Sequence, residues 1–357
     1  TICLYLGAED TINSRYPKEI SISVTNPVGS TRESLESMVP ALVREEGYEI
    51  LDILSYESFE LFTMLNKNDF GNPDTMYFGN DNGCIVSYIP EKDYNTMAAS
   101  PVCLSPEQAL VYTKNKSLKD SFKIYGNEYD IVGFADDFTP RGQVSFNMDD
   151  VFFFIVAEDT YNDIYSMQSG RAKSFFYGFD ADASAEESLE LFEKVSNLVY
   201  SFSNNSPDGG FDMLMTESRQ ENAKEFYAMY GGFLFLGLFL GLVFLIAAVL
   251  IIYYKQLSEG YDDRERFEIM QKVGLSQDEI KKAIHSQILL VFFLPLAMAV
   301  LHIAFAFKMI TKLLMVMGLT NLSLFALCVL GTIAVFAVIY GLVYSLTAKS
   351  YYRIVSR

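Results

Sequence analysis

Apolar positions fall into two regimes along the chain. After Tyr230 they form three unbroken stretches, residues 231–254, 287–307 and 322–348. Each reaches the ~20 residues needed to cross ~30 Å of hydrocarbon. The first and third are uncharged, and the second contains Pro295 and His302. Backbone groups cannot go unbonded in lipid, so each stretch predicts a transmembrane helix. Pro295 removes a backbone donor and predicts a kink in the second. His302 reads as an interior polar residue bonded to a backbone carbonyl rather than as a metal or proton site.

Before Tyr230 the runs are shorter and mixed. Ser30-x-x-Glu33 predicts a capping box and a helix to about Arg44, followed by an extended run over 48–55. Asn82-Gly83 between 76–78 and 84–89 is a hairpin signal. A second hairpin is predicted over 122–131 with Gly126-Asn127 as its two-residue loop. That register sets Ile124 opposite Tyr129, Phe122 opposite Ile131 and Lys123 opposite Asp130. Residues 151–157 and 173–179 read as strands, the first followed by a helical stretch. Ser184-x-x-Glu187 opens a helix with Leu191, Phe192, Val195, Val199 and Phe202 on its apolar face. The expected fold class is a membrane protein: an α-helical transmembrane bundle with an inserted extracellular α+β domain. Strands and helices interleave without a clear period, and no topology follows from them.

Between the first two spans, Phe267, Met270 and Val273 recur at threes on a charged background and predict a short amphipathic helix. Gly274 suits the left-handed position that ends a helix. Leu275 and the capping box Ser276-x-x-Glu279 then start the next one. Upstream, Ser218-x-x-Glu221 starts a helix leading into the first span. The paired glycines Gly231-Gly232 leave two alternatives there, a continuous helix or a hinge. Gly237-x-x-x-Gly241 and Ala337-x-x-x-Gly341 place small residues on one helix face, where another helix can approach.

Charge orients this plan. Residues 1–230 hold 16 of the 27 Lys+Arg and 38 of the 45 Asp+Glu, a net of −22, whereas the remainder carries +4. Phosphates would be repelled by such an acidic half, which argues against nucleic acid as a partner. The acidity serves solubility or gathers cations and cationic peptides. Residues 255–285 hold six Lys+Arg, the tail after Ala348 three, and the connection 308–321 two. Basic loops stay inside. The expectation is therefore 255–285 and 349–357 cytoplasmic, with 8–230 and 308–321 outside a plasma membrane. The opening Thr1–Gly7 is apolar but too short to span a bilayer, and reads as the outer end of a truncated transmembrane helix. The expected organisation is residues 1–7 as that remnant, 8–217 as the outer domain and 218–357 as the membrane domain.

Candidate chemistry is sparse. No G-x-x-x-x-G-K-[ST], H-E-x-x-H or G-x-S-x-G occurs, and the two histidines, His285 and His302, lie in or beside the membrane stretches. No cofactor, metal site or catalytic residue is expected, and ATP hydrolysis would reside on another chain. Asp136-Asp137 and Asp149-Asp150 read as solvated loop carboxylates. Four cysteines show no metal-ligand spacing; Cys84 and Cys103 are either paired or two free thiols.

The run Tyr253-Tyr254-Lys255-Gln256-Leu257-Ser258-Glu259-Gly260-Tyr261-x-Asp263-Arg264-x-Arg266-Phe267-Glu268-Ile269-Met270-Gln271-Lys272-Val273-Gly274-Leu275-Ser276 resembles the FtsX-like permease domain of ABC transporters, of the bacitracin-export type found in Gram-positive bacteria. The stretch Ser286–Leu296, ending in Pro295-Leu296, is similar to the same proteins, and the resemblance covers about 226–357. It implies a coupling helix that docks on a separate ABC ATPase, with Gly260, Tyr261, Arg264, Phe267, Met270, Lys272, Val273 and Gly274 making or supporting the contact. By position and size, it also implies an outer domain inserted between the first two helices of the permease repeat. Export of, or resistance to, antimicrobial peptides or handling of lipid-linked wall precursors is the implied function. The alternative is a mechanotransmitter that moves no substrate and regulates a wall hydrolase or a sensor kinase.

Overall fold

The computed structural model describes residues 2–71, 83–113, 118, 120–124, 126–135, 138–141, 150–168, 170–205, 211–274, 276–316 and 321–355. The chain divides into two compact units, residues 9–226 and residues 1–8 with 227–357.

In the first unit the described strands are β1 (Ile20–Thr25), β2 (Ile50–Asn66), β3 (Asp69–Gly71), β4 (Gly83–Pro90), β5 (Gln108–Thr113), β6 (Ser121–Ile124), β7 (Asn127–Phe134), β8 (Asp150–Val156), β9 (Lys173–Ala181) and β10 (Met213–Ser218). They form one sheet in the order β10-β1-β9-β2-β3-β6-β7-β5-β8-β4, and β4 also pairs with β2. The extra pairing closes seven strands into a barrel, while β10, β1 and β9 extend from it as a wing. β2 belongs to both. At 17 residues it is far longer than the usual 3–10. Its first half pairs with β9 and its second half with β4 and β3.

Strand alternation assigns the faces. Phe59 and Leu61 of β2 point into the barrel, where they meet Phe70, Val86, Tyr88, Val111, Phe122, Phe152 and Phe154. Phe122 and Phe154 stack with centroids 4.1 Å apart. On the wing, Ile20, Ile22, Val24, Phe175, Tyr177 and Phe179 turn to one face. Helices α3 (Thr31–Glu45) and α6 (Ala185–Asn205) cover that face with Leu35, Val39, Val43, Leu191, Val195 and Val199. Helix α2 (Ala8–Arg15) precedes β1, and the short helices α4 (Glu91–Met97) and α5 (Glu158–Met167) follow β4 and β8.

Several expectations change here. The α3 helix forms, but Ser30 makes no side-chain cap bond. At α6 both arms of the box form: Ser184 N–H donates to Glu187 Oε2 at 2.8 Å, and Glu187 N–H donates to Ser184 Oγ at 3.4 Å. These bonds hold the Glu187 carboxyl below its ordinary range. The β6–β7 hairpin is shifted from the expected register: Phe122 faces Tyr129, Lys123 faces Glu128 and Ile124 faces Asn127. Gly126 (φ +87°), rather than Asn127, takes the last loop position, and Phe122 then stacks on Tyr129 at 5.5 Å in the barrel interior. Residues 76–78, Asn82, Asp136, Asp137 and Asp149 lie outside the described residues. Cys84 and Cys103 are not bonded to each other: Cys84 is buried with its Sγ 3.1 Å from Thr63 Oγ1, and Cys103 is exposed.

The second unit holds α1 (Ile2–Leu6), most of α7 (Arg219–Lys272), α8 (Gln277–Val316) and α9 (Leu322–Val355). The last three are long and apolar enough to cross a membrane. The uncharged 24 residues of the first span, about 36 Å at 1.5 Å per residue, exceed the hydrocarbon thickness. Ser218 Oγ accepts from Glu221 N–H at 3.3 Å, so α7 starts where its capping signal lies. It passes through Gly231-Gly232 without a break, and α8 continues through Pro295.

Candidate functional site

The polar end of α7 differs from the expected short helix. Among the described residues no separate short helix lies between the first two apolar stretches; residues 255–272 prolong the first of these helices to Lys272. Val273 N–H still bonds Ile269 O, and Gly274 ends the run with φ +110°, a conformation that suits a residue without Cβ. Ser276 then forms both arms of its box with Glu279, at 2.9 and 3.3 Å, and begins α8.

Here α7, α8 and α9 meet in a small core. Ile280, Ile284, Ile288 and Phe292 recur every four residues along α8, and pack with Phe267 of α7 and with Ala348 and Tyr351 of α9. On α7 the inward stripe is Gln256, Gly260, Asp263 and Phe267, at spacings of four, three and four, which keep one helical face. Tyr351 donates its hydroxyl hydrogen to Asp263 Oδ2 at 2.7 Å, and Arg266 Nη1 holds the other oxygen at 3.3 Å. Gly260 is where the Tyr351 ring crosses: a Cβ there would lie 3.1 Å from Tyr351 Cδ2. Gln256 is fully buried and donates to Glu259 at 2.8 Å. On the α8–α9 side, His285 Nδ1 lies 3.0 Å from Tyr344 Oη.

The eight residues singled out from sequence divide between two faces. Gly260 and Phe267, the latter 7% exposed, are inside the three-helix core. Tyr261 is 63% exposed, Val273 84%, and Met270, Lys272 and Gly274 also face out. Arg264 is exposed and pairs with Glu268 at 3.3 Å, an i,i+4 pair on the outer surface. Phe267, Met270 and Val273 therefore do not share a face. A strict spacing of three drifts about 60° per step on a helix of 3.6 residues per turn, which carries Val273 out of the core that Phe267 occupies. Sequence reasoning missed the clasp of Asp263 and Tyr351. The four-and-three spacing of Gln256, Gly260, Asp263 and Phe267 was its available signal, but half of that stripe is polar.

A Cβ at Gly241 or Gly341 would have no atom within 4 Å. The most apolar window of α7 is unburied throughout, whereas α8 packs along α9 and leaves Gly341 to one side. His302 is exposed on α8 rather than interior.

No family model matches the chain. Among curated proteins, the ABC transporter permease protein YxdM of Bacillus subtilis is 28% identical over 153 residues, 43% of this chain and 23% of that protein. The bacitracin export permease protein BceB of the same species is 27% identical over 203 residues, 56% of this chain and 28% of the relative. The uncharacterized ABC transporter permease YvcS, also of Bacillus subtilis, is 20% identical over 310 residues, 86% of this chain and 39% of the relative. The chain thus spans well under half the length of these relatives. With three helices able to cross a membrane and relatives of this kind, the chain is a membrane protein homologous to ABC transporter permeases, a bacitracin export permease among them.

Proposed function

We propose that the chain is the force-receiving part of an ABC permease, in which the α7–α8 junction docks on a separate ATPase. The observation that carries this reading is the division of the junction into an inner and an outer face. Tyr261, Met270, Lys272 and Val273 are presented outward, apolar groups beside a basic one, as a protein groove would receive them. Gly260, Phe267 and the Asp263–Tyr351 clasp tie the same segment to α8 and α9, so a push on the outer face moves three helices together. Gly274 and the Ser276 cap fix the angle between the two helices that form the junction.

In this reading residues 255–285 and 349–357 are cytoplasmic, and the acidic unit and residues 308–321 are outside as an inserted domain. Nucleotide-driven closure of the ATPase is relayed along α7, whose helix runs unbroken from Arg219 to Lys272. Antimicrobial peptides or lipid-linked wall precursors are the proposed cargo class, by analogy with the bacitracin export relative.

Copurification of the full-length permease with a separately encoded ABC ATPase tests the docking. Val273→Asp and Tyr261→Ala, both on the outer face, should reduce recovery of the ATPase about tenfold while leaving the permease monodisperse. Full recovery with both variants refutes the assignment. Phe267→Asp is the contrasting case: it should destabilise the helical core itself, by burying a charge without a partner.

A further inference from the structure

The wing of the sheet has a second face, turned away from α3 and α6, and nothing so far gives it a task. Alternation places Ser23 and Thr25 of β1, Ser174 of β9 and Ser58 of β2 on that face. The register sets Thr25, Ser174 and Ser58 side by side, one from each of three neighbouring strands. These short side chains leave a cleft of about 350 Å³, bounded by Phe153 on the barrel side and by Met213 and Met215 of β10. That volume is within the range of small-ligand pockets.

The cleft is lined by two guanidinium groups, those of Arg15 and Arg141, against one carboxyl, that of Glu60, which burial holds above its ordinary range. Arg141 is anchored: Nη2 holds Glu217 Oε2 at 2.6 Å and Nη1 donates to Ser23 Oγ at 2.8 Å. A guanidinium carries five N–H donors, so these bonds leave Arg141 able to give more. Arg15, the last residue of α2, makes no ion pair among the described residues. Its guanidinium lies over the rings of Tyr16 at 5.4 Å and Phe226 at 5.8 Å. The hydroxyl row is unused as well. The side chains of Thr25, Ser174 and Ser58 have no hydrogen-bond partner among the described residues, and Ser58, only 6% exposed, opens on the cleft. A buried hydroxyl left without a partner is costly. Hydroxyls can donate and guanidiniums can only donate, so what these groups share is donation toward an oxyanion.

We propose that this cleft binds a small organic oxyanion, a phosphate or a carboxylate, whose oxygens take hydrogen bonds from Arg15, from the remaining N–H groups of Arg141 and from the hydroxyls of Thr25, Ser174 and Ser58. Its apolar body rests against Met213 and Met215, whose thioether chains adapt to irregular shapes. Arg15 supplies the counter-charge, since no acid among the described residues pairs with it. The site lies wholly within the unit of residues 9–226 and does not depend on the ATPase reading.

Titration calorimetry on the full chain in nanodiscs of zwitterionic lipid tests it, with phenyl phosphate, benzoate and, as the cationic control, benzylamine as probes. One anion per chain should bind, and the amine should not. Arg15→Gln should weaken anion binding by about tenfold or more, the loss expected for a charged hydrogen bond, and Arg15→Lys should recover part of it. Ser58→Ala guards against misfolding: it removes an unpartnered hydroxyl and adds no bulk. It should weaken binding by about threefold or more while the melting temperature does not fall. Lys92→Gln, an exposed base outside the cleft, should change nothing. Tighter binding of phenyl phosphate assigns the cleft to a phosphate, and tighter binding of benzoate to a carboxylate. Unaltered binding in Arg15→Gln, an equal loss in Lys92→Gln, binding of benzylamine as tight as that of the anions, or no saturable binding of either anion overturns the proposal.

Discussion

Replacing Asp93 with Ala probes how the helix layer is anchored to the sheet. Asp93 of α4 is buried, with a side chain 3% exposed, and accepts two bonds from Arg32 Nη1 of α3 at 2.9 Å. It also accepts the backbone N–H of Glu57 in β2 at 2.7 Å. Burial pushes its carboxyl above the ordinary range even though Arg32 opposes the shift. Removing the acid leaves the Glu57 N–H unbonded and strips Arg32 of its inner partner. Glu36 at 3.0 Å and the Phe175 ring at 5.2 Å remain to Arg32. Breaking a buried pair costs roughly 3–5 kcal/mol. Arg32 is 31% exposed and keeps Glu36, so about 2–4 kcal/mol is expected here. In a unit of this size that lowers the melting temperature by roughly 5–15 °C. Hydrogen exchange of the full chain in nanodiscs should show the loss in amides of α3, α4 and β2 together. The apolar pair Arg32→Met with Asp93→Leu should recover much of it. Asp93→Ala leaving exchange of those three elements unchanged would refute the assigned role.

Other outcomes follow from named contacts. Tyr351→Phe removes the 2.7 Å bond to Asp263 and should destabilise the three-helix core by about 1.5–3 kcal/mol, read as faster exchange in residues 256–267. Ser276→Ala removes the Oγ that accepts from Glu279 N–H and should cost about 1 kcal/mol of α8 initiation, read as fraying of residues 277–281. Burial raises the folded-state carboxyls of Glu19, Glu60 and Asp93. At these three sites the folded state therefore holds more protons than the unfolded chain between the ordinary carboxylate range near ~4 and the raised values, outweighing the opposite contribution of Glu187 alone. Stability should fall as pH rises through that window, and a melting temperature that rises instead would contradict it.

Legibility from sequence tracked how locally each feature is determined. The three helices able to cross a membrane were plain because lipid imposes one length and one polarity on every residue. The boxes at Ser184, Ser218 and Ser276 were readable because each bond lies within three residues. Closure of the barrel was not. It depends on β4 pairing both with the distant β8 and with the second half of β2, and no local pattern encodes the pairing that closes a sheet on itself. The polar segment after the first apolar stretch was half legible. Its caps lie in local spacing, but a spacing of three set Val273 on the face of Phe267, and the charged background hid the fact that α7 simply continues. The inward role of Gly260 needed Tyr351, 91 residues later, to become visible.

A photo-activatable side chain placed at Val273 in the full-length permease, in native membranes, tests the central claim most directly. The account predicts that the cross-link captures a separate ABC ATPase, and that the same probe at Met213 of β10 does not. Capture of the ATPase from Met213, or none from Val273 or from Tyr261, would contradict it.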